Sequence, residues 1–143
     1  MTGDLSIGDL AKRTGCSVPT IRFYEQIGLI RNAARTAGGR RIYEDSDAKL
    51  LTFIRRCRDF GFSVEQVRDL VTLSVSRDRN CNEARNLASG HLQSVQDKIA
   101  EMKELERALE EFVERCDGEC IGGPAAECVI LEDLAEGKRG CRC

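Results

Sequence analysis

The sequence predicts a mainly α-helical fold in three parts: a small helical N-terminal domain, one long central helix, and a C-terminal loop followed by a short helix. Three observations predict it. Short apolar repeats at helical spacing, each preceded by a capping residue, fill most of the first 75 residues. A longer apolar repeat extends from residue 82 to residue 115, and cysteines cluster beyond its end. The predicted boundaries are therefore 1–75, 76–116 and 117–143.

Two short helices joined by a tight turn are predicted at the start of the chain. Ser6 can cap a helix over residues 7–13, which stops at Gly15. Ser17 can cap a second helix over residues 18–26, with a proline in its first turn. Such a pair forms a helix-turn-helix, whose second helix normally enters the major groove of DNA. DNA binding is therefore the first function that the sequence indicates.

A β-hairpin is predicted to follow the second helix. Its first extended piece begins near Leu29 and Ile30, the glycine pair at 38–39 forms the turn, and the return strand carries Arg40 and Arg41. A hairpin in this position is a wing, and its paired arginines make it basic. The first domain is thus predicted to be a winged helix-turn-helix.

Two more helices complete the first domain. Asp45 or Ser46 can cap one that ends at Gly61, and Ser63 with Gln66 forms a capping box for the other. Both carry apolar residues at the spacing of an amphipathic helix.

The long helix carries an apolar seam. Between residues 82 and 115 there is neither a proline nor a turn cluster, and apolar residues recur in steps of four and three. They are Ala88, Leu92, Val95, Ile99, Met102, Leu105, Leu109 and Phe112. A single helix of about 50 Å cannot bury such a seam, so we expect a homodimer in which two copies form a coiled coil. The periodicity leaves the parallel and antiparallel senses open.

Charge is divided unevenly along the chain. The whole chain has a net charge of −2, but residues 1–60 carry 11 Lys and Arg against 7 Asp and Glu, a net charge of +4. The remainder carries 11 Lys and Arg against 17 Asp and Glu, a net charge of −6. A basic front and an acidic rear are expected when only one part of a chain touches phosphate.

Composition also bears on where the protein works. No apolar run approaches the roughly 18 residues that a membrane span needs, and the N-terminus lacks the pattern of a secretory signal. We therefore expect a cytoplasmic protein with no membrane partner. Eight cysteines in that reducing compartment indicate thiolate metal binding or redox chemistry for at least some of them, rather than a disulfide framework.

Six side chains are candidates for DNA contact. They are Thr20, Arg22 and Tyr24 on the second helix and Arg40, Arg41 and Tyr43 on the wing. Arginine binds phosphate or reads guanine, and a tyrosine hydroxyl can reach a phosphate oxygen. The alternative is that these are surface and core residues of an ordinary small helical bundle.

Several short sequence motifs, taken in their order along the chain, indicate the kind of protein more specifically than the composition does. The segments IRFYEQIGLI at 21–30, GRRIY at 39–43, FIR at 53–55 and GFS at 61–63 resemble the MerR family of transcription regulators, and the resemblance extends over essentially the whole chain. It implies an antiparallel pair of dimerisation helices, promoter DNA held between two half-sites, and DNA contact by the six residues above. It also implies that the promoter has an overlong spacer and that effector binding distorts this DNA so that RNA polymerase can engage both promoter elements. The protein would then be a repressor without effector and an activator with it.

The same resemblance implies a metal site. Metal-sensing members have ligands at the start of the dimerisation helix and in the loop beyond its end, and Cys81 and Cys116, 35 residues apart, match these positions. In the antiparallel dimer, Cys81 of one subunit would meet Cys116 and Cys128 of its partner. Two thiolates can hold copper(I) linearly, and the copper(I) branch typically has Ser where Cys81 stands. A third thiolate suits divalent Zn, Cd, Pb or Hg, so we expect control of metal efflux or detoxification genes.

Several alternatives stay open. Cys120 lies inside the loop, so either Cys116 or Cys120 pairs with Cys128, or all three join Cys81 in a site of four sulfurs. A copper(I) sensor of the same family is one rival, and a thiol protein that sequesters metal without touching DNA is another. An enzyme is not indicated, because the only histidine, His91, has no evident cysteine partner and no glycine-rich nucleotide motif occurs.

Overall fold

The computed structural model describes residues 3–119 and 122–137. Its helices are α1 Ile7–Thr14, α2 Val18–Gln26, α3 Asp45–Asp59, α4 Val64–Val75, α5 Cys81–Glu119 and α6 Val129–Glu136. Its strands are β1 Ala34–Arg35 and β2 Arg41–Ile42, and a 3₁₀ turn, Ala125–Glu127, precedes α6. The mainly α-helical fold class is confirmed, with a hairpin after α2 and one long helix. Among the described helices, none has a stretch long and apolar enough to cross a lipid bilayer.

The chain divides into two compact units, Met1–Ala88 and Ser89–Cys143. The first unit holds α1 to α4, the hairpin and the beginning of α5, and the second holds the rest of α5 together with α6. The boundary falls inside α5, so it follows packing rather than the ends of helices. The predicted division at residues 75/76 and 116/117 stays a prediction.

The predicted caps of α1 and α4 are present. Ser6 Oγ accepts a hydrogen bond from the Asp9 N–H, and Asp9 Oδ2 accepts one from the Ser6 N–H, both at 3.1 Å. Hydrogen bonds from the Ser6 hydroxyl and then the Ser6 amide hold the pKa of the Asp9 carboxyl below its usual value. Ser63 and Gln66 exchange the equivalent pair of hydrogen bonds at the start of α4. Local capping chemistry therefore accounts for both helix starts.

The hairpin is shorter than predicted, and its first strand begins later. Leu29 and Ile30 are not in a strand, because their N–H groups donate to the Tyr24 carbonyl at 2.9 and 3.3 Å and close the end of α2. Their side chains are buried in the core. The two strands pair antiparallel, with Ala34 opposite Ile42 at one of the two registered positions.

The start of α3 also differs from the prediction. Its N-cap residue is Glu44 rather than Asp45 or Ser46. The reason is Asp47, whose Oδ2 accepts a hydrogen bond from the Glu44 N–H at 2.8 Å. The carboxylate of Asp47, three residues after Glu44, thus places the N-cap one residue earlier than expected.

The core of the first unit lies among α1 to α4. Leu10 from α1, Ile21 from α2, Leu51 and Ile54 from α3, and Val67 from α4 are all fully buried. Burying one aliphatic side chain contributes about 1.5–3 kcal/mol. Each helix supplies at least one of these side chains, so α3 and α4 complete the core on which the helix-turn-helix packs.

The turn between α1 and α2 depends on Gly15. Gly15 has φ +68°, and its N–H donates to the Ala11 carbonyl at 2.8 Å. A Cβ at this position would lie 1.8 Å from Nη1 of Arg55, and that same nitrogen donates to the Thr14 carbonyl at 2.9 Å. The glycine therefore serves both the left-handed turn and the approach of Arg55 from α3.

Gly15→Ala is expected to lower the free energy of unfolding by about 2 kcal/mol. Roughly 1 kcal/mol comes from the positive φ, and about 1 kcal/mol comes from displacing Arg55 from the Thr14 carbonyl. Gly28→Ala is the matched control, because Gly28 has φ +70° but a Cβ there would meet nothing within 4 Å. Urea unfolding of both variants checks the difference, and equal losses would contradict the role given to Arg55.

The apolar seam of α5 is exposed in a single chain. Its exposed members are Leu92, Val95, Ile99, Met102, Leu105, Leu109 and Val113. Phe112, predicted as the last seam residue, is half-buried, and Val113 is the more exposed of the two. A row of side chains this long is the surface that a second copy would cover. The homodimer stays a prediction.

Candidate nucleic-acid interface and metal centre

The recognition helix α2 presents two of the predicted DNA contacts. Ser17 caps the helix, its Oγ accepting from the Thr20 N–H at 3.2 Å. The Thr20 hydroxyl lies 2.7 Å from the same Oγ and is half-buried, whereas Arg22 is exposed. Arg22 is therefore the side chain of this pair that has the reach for phosphate or base.

The wing presents two arginines with different surroundings. Arg40 is exposed next to the turn, where the Arg40 N–H donates to Thr36 Oγ1 at 3.1 Å. Arg41 is half-buried, and its Nη1 lies 3.6 Å from Oε2 of Glu25 on α2. Thr20, Arg22, Arg40 and Arg41 stay predictions as DNA contacts.

The two predicted contacts that are tyrosines are both buried, and their assignment as DNA contacts stays a prediction. Tyr43 is 1% exposed, and its hydroxyl donates to Oε1 of Glu25 at 2.8 Å. Burial, and then the hydrogen bond to Glu25, raise the pKa of Tyr43 to about 12, so its hydroxyl remains a protonated donor. Tyr24 is also buried, with its ring centroid 5.8 Å from that of Phe23. The Tyr43 hydroxyl is therefore engaged inside the first unit in this conformation.

Sequence reasoning missed Glu25, which is buried on α2 and joins the recognition helix to the wing. Oε1 accepts from the Tyr43 hydroxyl and, at 3.1 Å, from the Ala33 N–H. The signal was present in the sequence. Ile21, Tyr24 and Glu25 follow the i, i+3, i+4 spacing of one helix face, so the two apolar neighbours predict a buried carboxylate, and a buried carboxylate requires partners.

Two arginines fasten the segment after α2 to α3 and α4. Arg31 donates to both carboxylate oxygens of Asp47, each at 3.0 Å. Burial raises the pKa of the Asp47 carboxyl, but the Arg31 hydrogen bonds and a backbone N–H outweigh burial, and the net direction is downward. Arg68 on α4 donates to the carbonyls of Ile27 at 2.8 Å and Gly28 at 3.4 Å. The end of the recognition helix is thereby tied to the helix that leads into α5.

The predicted metal ligands lie at the ends of α5 and at the start of α6. Cys81 is the first residue of α5 and is exposed, and Cys116 is exposed near the other end of the same helix. Cys128 is half-buried and is the N-cap residue of α6. Because 34 helical residues separate Cys81 from Cys116, one chain cannot bring these two thiols together.

An ion pair connects the end of α5 to α6 within the second unit. Arg115 Nη2 lies 2.6 Å from Oδ2 of Asp133. Arg115 adjoins Cys116 in sequence, and Asp133 lies in the helix that Cys128 begins. The two elements that carry these cysteines are therefore joined through their neighbours.

A complete metal site is not formed by the described part of one chain. Within residues 3–119 and 122–137, no three His, Cys, Asp or Glu side chains lie together in an arrangement that could hold a metal ion. The predicted ligand Cys120 lies outside the described residues, as do Cys141 and Cys143. Exposed thiols suit soft divalent ions, so the chemistry of the donor set fits the predicted effector.

Two further cysteines and the single histidine of the sequence have positions that favour packing. Cys57 is buried in the core, and burial raises the pKa of its thiol. Cys16 is half-buried against the same core. His91 is half-buried on α5, where it borders the apolar seam beside Val95.

Two family models match this chain. The model described as "MerR HTH family regulatory protein" matches residues 5–73. The model described as "MerR, DNA binding" matches residues 48–112. Together they span α1 to most of α5.

Curated relatives and solved structures match over nearly the full length. The HTH-type transcriptional regulator HmrR of Sinorhizobium medicae is 41% identical over 133 residues, covering 93% of this chain and 88% of that protein. The heavy metal-dependent transcription regulator 2 of Rhizobium meliloti is 40% identical over 133 residues, with the same coverage of 93% and 88%. The crystal structure of the transcription regulator PbrR691 from Ralstonia metallidurans, in complex with lead(II), has a TM-score of 0.80 and 35% identity, and covers 91% of this chain and 98% of that one.

Proposed function

The chain belongs to the MerR family of helix-turn-helix regulatory proteins, and from this premise we propose that it is a homodimeric regulator that responds to a divalent thiophilic metal ion. Its family and relatives are transcription regulators rather than enzymes. Without metal it holds promoter DNA and represses. With metal it activates genes for metal efflux or detoxification, acting in the cytoplasm with RNA polymerase.

One observation carries the choice of a metal effector: exposed or half-buried thiols stand at both ends of α5 and at the start of α6. Two relatives support it, since one is named a heavy metal-dependent transcription regulator and another was solved in complex with lead(II). Both are at least 35% identical to this chain over more than nine-tenths of its length. Thiolates select soft ions over Mg²⁺ or Ca²⁺, which narrows the effector to thiophilic ions such as Zn, Cd, Pb, Hg and copper(I).

The proposed ligands come from two subunits. Cys81 of one subunit joins Cys128 of the other, together with Cys116, Cys120 or both. When bound, the ion supplies positive charge that neutralises several thiolates and cross-links the start of one long helix to the loop of its partner. The loop alone supplies two or three sulfur ligands, and Cys81 adds one more. The additional thiolate favours a divalent ion.

The proposed route to DNA runs through the chain's own contacts. Cys81 opens α5, and five residues separate it from the end of α4 at Val75. Arg68 on α4 donates to the carbonyls of Ile27 and Gly28 at the end of the recognition helix. A shift of Cys81 on metal binding would therefore reach α2 through residues 76–80, α4 and the Arg68 hydrogen bonds. The two recognition helices of a dimer would then change their spacing on the promoter.

Four of the six predicted DNA contacts carry this proposal: Thr20, Arg22, Arg40 and Arg41. Arg22 and Arg40 are exposed, and α2, which carries Arg22, contributes Ile21 and Tyr24 to the core of the first unit. Contacts of this kind are mainly to phosphate, so the affinity for DNA should fall steeply as salt concentration rises.

Transcription in vitro tests the proposed function. The operator is first identified by selecting the DNA duplexes that the protein binds from a random pool. Metal-free, full-length protein is then combined with RNA polymerase and a promoter that contains this operator. We expect Zn, Cd, Pb or Hg to raise transcription by about 5–150-fold, the usual range for coupling between two sites. Copper(I) should give no comparable rise. A response to copper(I) alone would establish the copper rival, and metal uptake without specific DNA binding would establish sequestration.

A further inference from the structure

The wing is too short to hold its own position. Each of its strands has two residues, with Ala34 opposite Ile42 and Arg35 opposite Arg41. An isolated two-stranded hairpin is at best marginally stable in water. Something outside the hairpin must therefore set the direction in which its arginines point.

Two anchors hold the hairpin, and they are not equivalent. Tyr43, just after β2, exchanges backbone hydrogen bonds of 2.9 Å with Leu5, which fixes only the return strand. Glu25 holds both ends of the hairpin, because it accepts from the Ala33 N–H before β1 and from the Tyr43 hydroxyl after β2. Its second oxygen lies 3.6 Å from the Arg41 guanidinium within β2.

The carboxylate that makes these contacts belongs to the recognition helix and is buried, with 5% of its side chain exposed. A buried carboxylate is costly unless its partners are in place. Its geometry is therefore demanding, and a change in the angle between helix and wing would break at least one of its contacts. Glu25 thus links the direction of the wing to the direction of α2.

We infer that Glu25 is the positioning residue that couples the wing to the recognition helix, so that Arg22 on α2 and Arg40 on the wing engage the same DNA half-site together. The inference rests on the proposed DNA contacts. It assigns to the chain a determinant of operator specificity that does not itself touch DNA.

The direction in which one substitution changes the affinity for DNA separates a positioning role from a purely electrostatic one. Glu25→Gln removes one negative charge per subunit, and charge alone would make binding to DNA tighter. Loss of the Arg41 pairing and weakening of the other two contacts should instead let the wing move. We expect affinity for the operator to fall by about 10–100-fold, comparable to the effect of one mismatched base pair in a site. Affinity for a scrambled duplex of the same length should change by no more than about 2-fold, because phosphate attraction is retained.

Two further variants are measured in the same binding assay, one as a control for charge and one as a second test of the coupling. Glu65→Gln removes an equal charge from an exposed position on α4, and it should bind the operator as tightly as the wild type or slightly more tightly. Tyr43→Phe should act in the same direction as Glu25→Gln. Because Tyr43 acts through Glu25, the double variant should be no weaker than Glu25→Gln alone. Thermal unfolding followed by circular dichroism gives the folded fraction of each variant, and each measured affinity is corrected for that fraction.

Amide hydrogen exchange of the DNA-free, full-length protein tests the same coupling without DNA. Glu25→Gln should speed exchange at Ala33 and across residues 34–42 by about tenfold or more, through local opening of the wing, while exchange in α5 stays unchanged. If the wild-type protein shows no preference for an operator, the proposed function fails and the exchange result alone decides the role of Glu25. Unchanged exchange in the wing, or operator binding by Glu25→Gln as tight as that of the wild type, would overturn the inference.

Discussion

Cys81→Ser is expected to abolish the response to divalent metal while leaving apo binding to the operator unchanged. The substitution removes the proposed ligand that comes from the other subunit. Loss of a partner that only orients a ligand costs 10–100-fold in metal affinity, so loss of a ligand itself should cost more than about 100-fold. The remaining loop thiols can still hold copper(I) linearly, and copper(I) binding should persist.

Thiolate charge-transfer absorption, with a competing chelator, measures this change in affinity. Cys16→Ser is the control, since Cys16 is a half-buried thiol of the helix-turn-helix and is not a proposed ligand. It should bind divalent ions as the wild type does. Divalent binding by Cys81→Ser at wild-type affinity would refute the shared site, and loss of operator binding by the apo variant would show that Cys81 has a structural role instead.

Ile99→Glu is expected to break the dimer and, with it, both metal and DNA binding. Ile99 lies in the exposed apolar seam of α5. An unpaired carboxylate in an apolar interface costs at least a few kcal/mol, and about 1.4 kcal/mol is tenfold in an equilibrium constant. Since a two-fold dimer repeats each position, dimerisation should weaken by about 100-fold or more.

Sedimentation velocity across protein concentrations measures the dissociation constant of the dimer. Ala100→Glu adds the same charge at the next residue, which is rotated about 100° around the helix and also exposed. That control should remain a dimer with wild-type DNA affinity. A stable dimer of Ile99→Glu would place the interface elsewhere, and a monomer that still bound its operator with full affinity would contradict the need for two half-sites.

Much of the fold could be predicted because its causes are local. The start of α4 follows from Ser63 and Gln66, which satisfy each other's backbone N–H groups within one turn. The predicted bounds of α2 match the structure, since Ser17 and the proline in the first turn act within four residues. The α5 seam is likewise visible as a repeat, although the helix proved longer than predicted, Cys81–Glu119.

The candidate sites could be predicted only in part. Exposed arginines on α2 and the wing follow from residue type and position, as do the cysteines at the helix ends. The tyrosines could not be assigned in this way, because a tyrosine is equally suited to a phosphate contact and to a core. Their burial depends on packing by helices that are distant in sequence, including α3 and α4.

The order of the helices, the basic wing, the apolar seam and the thiols at both ends of one long helix can all be read from the sequence alone. Each of these depends on neighbours within a few residues or on a simple period. The hydrogen bond from Tyr43 to Glu25, 18 residues away, became evident only from the packed fold. The packed fold also decided that Arg55 reaches the turn at Gly15 and that Arg68 holds the end of α2. The physical reason is that burial and hydrogen-bond partnership arise where separate helices meet, and no local pattern encodes which side chains will meet there.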